Sequence, residues 1–365
     1  MGVCIALLVA GPLVALPLSF LGGGIDPIAR RLLPDALRTS VVLGLGVGVG
    51  TLVVGGGLAV LVSFWDFPLR RVWDWALVLP MAIPGYVLVF TVLGQYGSAV
   101  PLQSSLFGNG LDIEGIRSTP GAIVVLTAVL YPYVYVMGRS AFVGQSRQSL
   151  EAARSLGSTY GAAVRRVAVP LARPSLAAGA ALAVMEALAD FGAVDLLGVQ
   201  AMTSAIYRVW FGAFDQDAAL QLATVLVGLA LMMVTVERLL RGRARYHQNL
   251  GRGDAVVPRR LRGWRAAVSA ALPAVLLLVV FVIPVAQLVA WSIESVVDDR
   301  VGAGLGVAAR NTFVLGIVAA TVAVITASIV AYGHRVRPSR VGSIASRLAT
   351  LGYAVPGTAV AVAVY

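Results

Sequence analysis

The sequence predicts an all-α, polytopic membrane helix bundle of about nine spans. Three observations carry that prediction. Nine apolar stretches each approach or exceed the length of about 20 residues that a spanning helix needs. The chain is 59% hydrophobic and only 12% charged, with a mean hydropathy of +0.88, whereas a soluble domain is roughly 25% charged. Its 28 basic residues are all arginine, and they are shared unevenly between the connections.

In chain order the spans fall near 3–21, 39–63, 75–97, 119–138, 175–199, 216–237, 266–292, 311–333 and 348–365. The first starts almost at Met1 with no basic segment ahead of it, so it reads as a retained span rather than a cleaved signal. It holds Cys4, the only cysteine, which can form no internal disulfide and has no thiol partner at a metal. The second holds Gly44-Leu-Gly-Val-Gly-Val-Gly50. No strand precedes this run, so close helix packing through Gly46 and Gly50 is expected rather than a nucleotide loop. In the third span Pro84-Gly85 predicts a kink that serves gating or packing. Tyr131, Tyr133 and Tyr135 alternate in the fourth around Pro132, and an aromatic interfacial belt is expected there in preference to a pore lining.

The fifth span carries Glu186, Asp190 and Asp195. Glu186 and Asp190 are four residues apart and share a helix face. Ionisable groups in a span are costly and face a cavity or a partner. Two readings stand: a polar translocation path gated near Asp190-Phe191-Gly192, or hydrogen bonding between helices. Asp195 falls near the outer interface.

Connections after even-numbered spans hold 21 arginines and those after odd-numbered spans hold 7. Cytoplasmic connections are the basic ones, so the N-terminus and the segment Glu151–Pro170 are expected in the cytoplasm. The basic charge is interleaved with spans, so its partner is the bilayer rather than nucleic acid. The chain has no lysine, which excludes a Walker A loop and places any ATP hydrolysis elsewhere. His247 and His334 are isolated, and no nucleophile–base pair or metal-ligand cluster stands out. Neither an enzyme nor a bound cofactor or metal is expected.

Shifted by 272 residues, the chain matches itself without gaps: Arg38–Gly44 over Arg310–Gly316, Ala82-Ile-Pro-Gly85 over Ala354-Val-Pro-Gly357, and Pro12 over Pro284. Spans 1–3 and 7–9 are then one unit used twice in the same orientation, a parallel repeat. The expected domains are a first unit at 1–238, a basic linker at 239–264 and a second unit at 265–365. The same shift places a second copy of Glu151 near position 423, past residue 365, so the second half is expected to be incomplete.

Between spans four and five lies EAARSLGSTYGAAVRRVAVP, residues 151–170, a polar segment that reads as helix–turn–helix. It follows the pattern EAA-x3-G-x9-I-x-LP through Glu151, Ala152, Ala153, Gly157, Val167, Val169 and Pro170, with valine at both aliphatic positions. This resembles the EAA loop of the permease subunit of binding-protein-dependent ABC importers. The runs ALADFGAVDLLGVQ and TSAIYRVWFGAFDQDAALQLA, with the duplicated architecture, resemble more narrowly the fused ferric-iron permeases of that group.

The resemblance implies a type I importer permease fold in the inner or plasma membrane. It implies that Glu151, Ala152, Ala153, Gly157 and Pro170 belong to a coupling segment that enters a cleft on a separate ATPase subunit, itself a homodimer that carries the ATP. It also implies an extracytoplasmic solute-binding protein and ferric iron as cargo, with thiamine, polyamine or sulfate as related cargoes. With one EAA segment in this chain, a second permease chain is a further expected partner.

The residues suit that role. Ala152 and Ala153 let a partner approach closely. Gly157 permits a positive φ and a sharp reversal. Pro170 is expected to keep the second short helix from continuing straight, and Pro174 to open the next span. Arg154, Arg165 and Arg166 can pair with acidic side chains or lipid phosphate. The competing readings are a basic loop that only fixes topology, a secondary transporter or channel that needs no ATPase, and a structural or degenerate membrane protein.

Overall fold

The computed structural model of the chain describes residues 16–20, 24–97, 113–145, 147–241, 257–298, 302, 304–336 and 355–364. Most of the first expected span, part of the last and residues 242–256 of the linker lie outside this set. Among the described residues six helices are long and apolar enough to cross a membrane, and a bent pair makes a seventh.

The elements run in order α1 (Pro27–Phe64), β1 (Trp65–Asp66), α2 (Arg70–Ala82), α3 (Gly85–Gly97), α4 (Thr119–Val143), α5 (Arg147–Ser155), α6 (Tyr160–Ala189), α7 (Gly192–Leu196), α8 (Met202–Tyr207), α9 (Gln216–Arg241), β2 (Arg259–Arg260), α10 (Trp264–Val297), α11 (Leu305–Val336) and α12 (Gly357–Val364). Contacts group them into two compact units. One comprises Leu32–Ala205 and Gly228–Val285; the other comprises the described residues of Met1–Arg31, Ile206–Val227 and Ala286–Tyr365.

In the first unit α4 is the hub, packed along α6 and α1. The glycines of α1 meet it as their spacing leads one to expect. A Cβ on Gly46 would strike Ile123, and one on Gly50 would strike Thr127. Two apolar clusters lie along α4. Leu126, Val129 and Leu130 pack with Leu43, Val47, Leu88, Ala187 and Val194. Tyr131, Tyr135 and Phe142 pack with Leu58, Phe64, Leu77, Ala163 and Ala168.

The expected kink at Pro84-Gly85 is a full break, 85° between α2 and α3. Proline pushes the residue before it out of the helical region, and Ile83 is accordingly extended, with φ −98° and ψ 119°. Ahead of the break the α-helical turns already end at Ala76: Val78 N–H donates to the Trp75 carbonyl and Met81 N–H to the Val78 carbonyl, each three residues back, so the Asp74 and Leu77 carbonyls accept from side chains. Tyr131 donates its hydroxyl to the Leu77 carbonyl at 2.9 Å, and Tyr135 donates to the Asp74 carbonyl at 3.0 Å. Both rings are fully buried. The expected interfacial belt is thereby corrected: two of the three tyrosines are core residues whose phenols satisfy main chain at a broken span. Arg139 adds a two-pronged ion pair to the Asp74 carboxylate.

The end of the linker is bound to this unit. β2 pairs in parallel with β1, Trp65 opposite Arg259 and Asp66 opposite Arg260, and Leu261 N–H donates to the Asp66 carbonyl at 2.8 Å. In the other unit, buried Gln221 on α9 is fully used by main chain. It accepts from Asp26 N–H at 2.8 Å and donates to the carbonyls of Gly24 and Ser19 at 3.0 and 3.2 Å. The Leu305–Ile329 stretch of α11 is apolar, and none of its residues is buried within the chain. A helix that is apolar all round needs lipid or another helix to cover it.

Candidate functional site

The predicted helix–turn–helix at 151–170 is present, and its turn has a specific closure. α5 ends at Ser155, and Gly157 follows with φ +87°. Gly157 N–H donates to the Arg154 carbonyl at 3.0 Å, and Ser158 N–H donates to the Ala153 carbonyl at 3.1 Å. This pair of bonds is the Schellman closure, which needs a left-handed residue at the position Gly157 fills. The second arm starts two residues later. Thr159 is extended, and its hydroxyl accepts Ala162 N–H at 3.4 Å as a helix cap.

The elbow is fastened from below. Leu150, Ala163, Val164 and Ala168 are buried in the cluster around Tyr135 and Phe142. Tyr160 packs edge-on against Trp65 at 6.1 Å and donates to the Phe64 carbonyl at 3.0 Å. Gln145 donates its amide to the Ala168 carbonyl at 2.9 Å, linking the end of α4 to α6. The outward side carries Glu151, Ala152, Arg154, Ser155, Leu156 and Gly157, with Leu156 87% exposed. Ala153 is half-buried beneath them.

Pro170 does not end the second arm. α6 is one helix from Tyr160 to Ala189, so the arm of the elbow and the fifth span are continuous. A wide turn over Val164–Ala168, in which Val169 N–H reaches back to the Val164 carbonyl, lies directly ahead of the proline. A proline ring clashes with the carbonyl four residues before it, and a widened turn relieves that clash without breaking the helix. Pro170 lies about 15 Å along α6 from Tyr160 and is not part of the exposed tip. Pro174 is likewise inside the helix rather than at its start.

At the far end of α6 the chain does not run on to 199 as one span. It breaks at Asp190 and resumes as α7. Asp190 stitches the break. Its carboxylate accepts Ala193 N–H at 2.7 Å, its carbonyl accepts the Thr203 hydroxyl at 2.9 Å, and its own N–H donates to the Glu186 carbonyl at 3.0 Å. An added Cβ on Gly85 would lie 2.7 Å from its other carboxylate oxygen, so the glycine lets the start of α3 pass this close. Glu186 is exposed on α6, and Asp195 is exposed on α7 beyond the break. The structure thus brings Glu151, Ala152, Ala153 and Gly157 into one surface and leaves the three acidic residues at the other end of the helix. Among the described residues no group of three or more His, Cys, Asp or Glu is arranged to hold a metal.

Sequence reasoning missed the fasteners Tyr160, Gln145 and Phe64, since a main-chain carbonyl as partner leaves no pattern. Leu156 had a signal: an isolated leucine in an otherwise polar turn.

Comparison with known proteins bears on the same region. A family model described as "Binding-protein-dependent transport system inner membrane component" matches residues 51–245, more than half of the chain, from within α1 past α9 and including the whole elbow. The chain is 37% identical over 161 residues to a probable molybdenum ABC transporter permease protein of Haloferax volcanii, covering 42% of this chain and 54% of that one. It is 23% identical over 340 residues to an Fe(3+)-transport system permease protein of Haemophilus influenzae, covering 92% and 64%. It is 31% identical over 190 residues to a sulfate transport system permease protein of Escherichia coli, covering 51% and 65%. The matched parts thus span between about half and two thirds of the length of these curated relatives. With its apolar helices and the elbow within the matched region, this multi-pass membrane protein belongs to the family of binding-protein-dependent transport system inner membrane components.

Proposed function

We propose that the chain is the membrane-spanning permease of an ATP-driven importer, non-catalytic itself and coupled to a separate ATPase through the elbow at 151–170. The observation that carries this reading is the mounting of the elbow. Its exposed tip, with Glu151, Ala152, Leu156 and Gly157, lies between α5, which follows α4 after three residues, and the start of α6 itself. A push on the tip is delivered to two packed spans, which is the geometry a hinge or rocking transition needs. In this reading ATP is held by a dimeric ATPase, and an extracytoplasmic binding protein delivers solute at the opposite face. The arginine distribution supports a cytoplasmic elbow and N-terminus in this reading. The bare apolar surface of α11 leaves a face for lipid or a second permease chain. The division into units at 1–238 and 265–365, joined by 239–264, belongs to the same proposal. Glu186, Asp190 and Asp195 form the proposed outer stretch of the path, with Asp190 shaping it through its hydrogen bonds.

Ferric iron is the proposed cargo, in keeping with a ferric-permease relative that aligns over 92% of the chain. A second reading, an oxyanion cargo, is favoured by a cavity that carries Arg38 and Arg117 at the end of the spans opposite the elbow. The test is co-expression with the cognate ATPase. Glu151→Lys with Gly157→Val is expected to abolish both co-purification and ATP-driven uptake of radiolabelled iron or molybdate into proteoliposomes. Retention of both by the variant refutes coupling through the elbow, and uptake driven by an ion gradient without ATP favours a secondary transporter.

A further inference from the structure

A cavity of about 490 Å³ opens where α1, α4 and the segment after α7 end together. Arg38 and Asp35 come from α1, Arg117 and Ser118 from the turn ahead of α4, Thr119 from its first residue, and Gln200 from the segment after α7. Among the described residues neither guanidinium has an ion-pair partner. Two cations and one carboxylate leave a net positive site. Two like charges converging on one cavity repel, and a bound anion reverses the sign of that interaction. Ser118 and Thr119, at the positive end of the 25-residue α4, line the same cavity. The Gln200 side-chain amide adds neutral donors.

The position of the cavity is fixed by three separate helices. Arg38 lies toward the start of α1, whose last residue, Phe64, holds Tyr160. Thr119 starts α4, whose C-terminal end leads into the elbow, and Gln200 follows α6, whose first residue is Tyr160. Each puts the cavity at the membrane face opposite the elbow. The geometry points to an anion site at the outer mouth of the protein, in which Arg38 and Arg117 clamp a tetrahedral oxyanion. The anion is either a free solute or the phosphate of a lipid head group. Its placement on the outer face rests on the importer reading above; the binding itself does not.

The experiment uses the full chain, without ATPase, in phosphatidylcholine nanodiscs doped with phosphatidylglycerol, and two probes: radiolabelled sulfate, and the phosphatidylglycerol retained after delipidation. Arg38→Gln with Arg117→Gln is the test variant. Arg38→Lys with Arg117→Lys keeps the charge, and Arg30→Gln is a control outside the cavity. Saturable sulfate binding that weakens roughly tenfold or more in the glutamine variant and survives in the lysine variant assigns the site to a free oxyanion. Phosphatidylglycerol retention with that same pattern, without sulfate binding, assigns it to a head group. Equal behaviour of the glutamine variant and the wild type with both probes, or no binding of either by the wild type, overturns the site. A co-purifying ATPase plays no part in these readings, so failure of the anion site and failure of the elbow reading are separable.

Discussion

Tyr160 donates its hydroxyl to the backbone carbonyl of Phe64 across 3.0 Å, joining residues 96 positions apart. The bond ties the first residue of α6 to the last residue of α1. The ring also stands edge-on to Trp65, the first residue of β1, to which the end of the linker is paired. One side chain therefore links the elbow, the second expected span and the linker.

Removing that link is expected to loosen coupling more than docking. Tyr160→Phe keeps the ring and loses one hydrogen bond, a cost of about 1 kcal/mol. Tyr160→Ala loses the ring pair as well, adding about 0.5–1.5 kcal/mol beyond the buried area. Proteoliposomes with the cognate ATPase should show uptake falling while ATPase co-purification persists. A parallel fall in both would place Tyr160 in the docking surface itself.

Gly157 holds φ +87° between two turn-closing hydrogen bonds. Gly157→Ala is expected to destabilise the elbow by about 1–2 kcal/mol, and Gly157→Asn by less, because asparagine tolerates the left-handed region better. Thermal unfolding in detergent measures the difference. Equal effects of alanine and asparagine would show that backbone conformation is not the cause.

The Asp74–Arg139 pair joins α2 to α4, and its side chains are 28% and 34% exposed. An ion pair this open to solvent is worth little. A double-mutant cycle through Asp74→Asn and Arg139→Gln should give a coupling of about 0.5–1 kcal/mol, larger than for a fully exposed pair because both prongs engage, and smaller in high salt. A coupling indistinguishable from zero at low salt would mean that Tyr131 and Tyr135 alone hold the broken span.

Asp190 and Glu186 separate by chemistry. Asp190→Asn keeps the acceptor for Ala193 N–H, and Asp190→Ala loses it at a cost of about 1 kcal/mol. Stability should therefore hold in the asparagine variant and fall in the alanine one. Glu186→Gln removes a charge from an exposed position on α6. Reduced uptake at normal expression supports its place on the path, and unchanged uptake removes it from that role.

Legibility followed the range of the interaction. Gly46 and Gly50 could be read because small residues four apart on one helix face announce a close neighbour, and Ile123 and Thr127 are that neighbour. Gly157 could be read because a helical reversal needs a residue free to adopt positive φ. Tyr131 and Tyr135 were misplaced at a membrane interface. Their spacing is the same in a belt and in a core, and only the fold brings them against the Leu77 and Asp74 carbonyls that they serve. At Pro170 the helix stays continuous through a widened turn, because a proline's effect depends on whether the turn before it can widen. The pairing of β1 with β2 had no signal at all: a two-residue strand shows no periodicity.

By itself the sequence determined that the chain crosses a membrane repeatedly, and where its polar elbow lies. Both follow from local rules, the cost of burying charge in lipid and the spacing of one motif. Only the tertiary structure decided what the elbow is mounted on and which polar groups are shared between helices. It joined Tyr160 to Phe64, set Asp190 against Gly85 and brought Arg38 and Arg117 to one cavity. Those relationships depend on where distant backbone atoms come to rest, and a hydrogen bond to a carbonyl or a convergence of charges writes no pattern of its own along the chain.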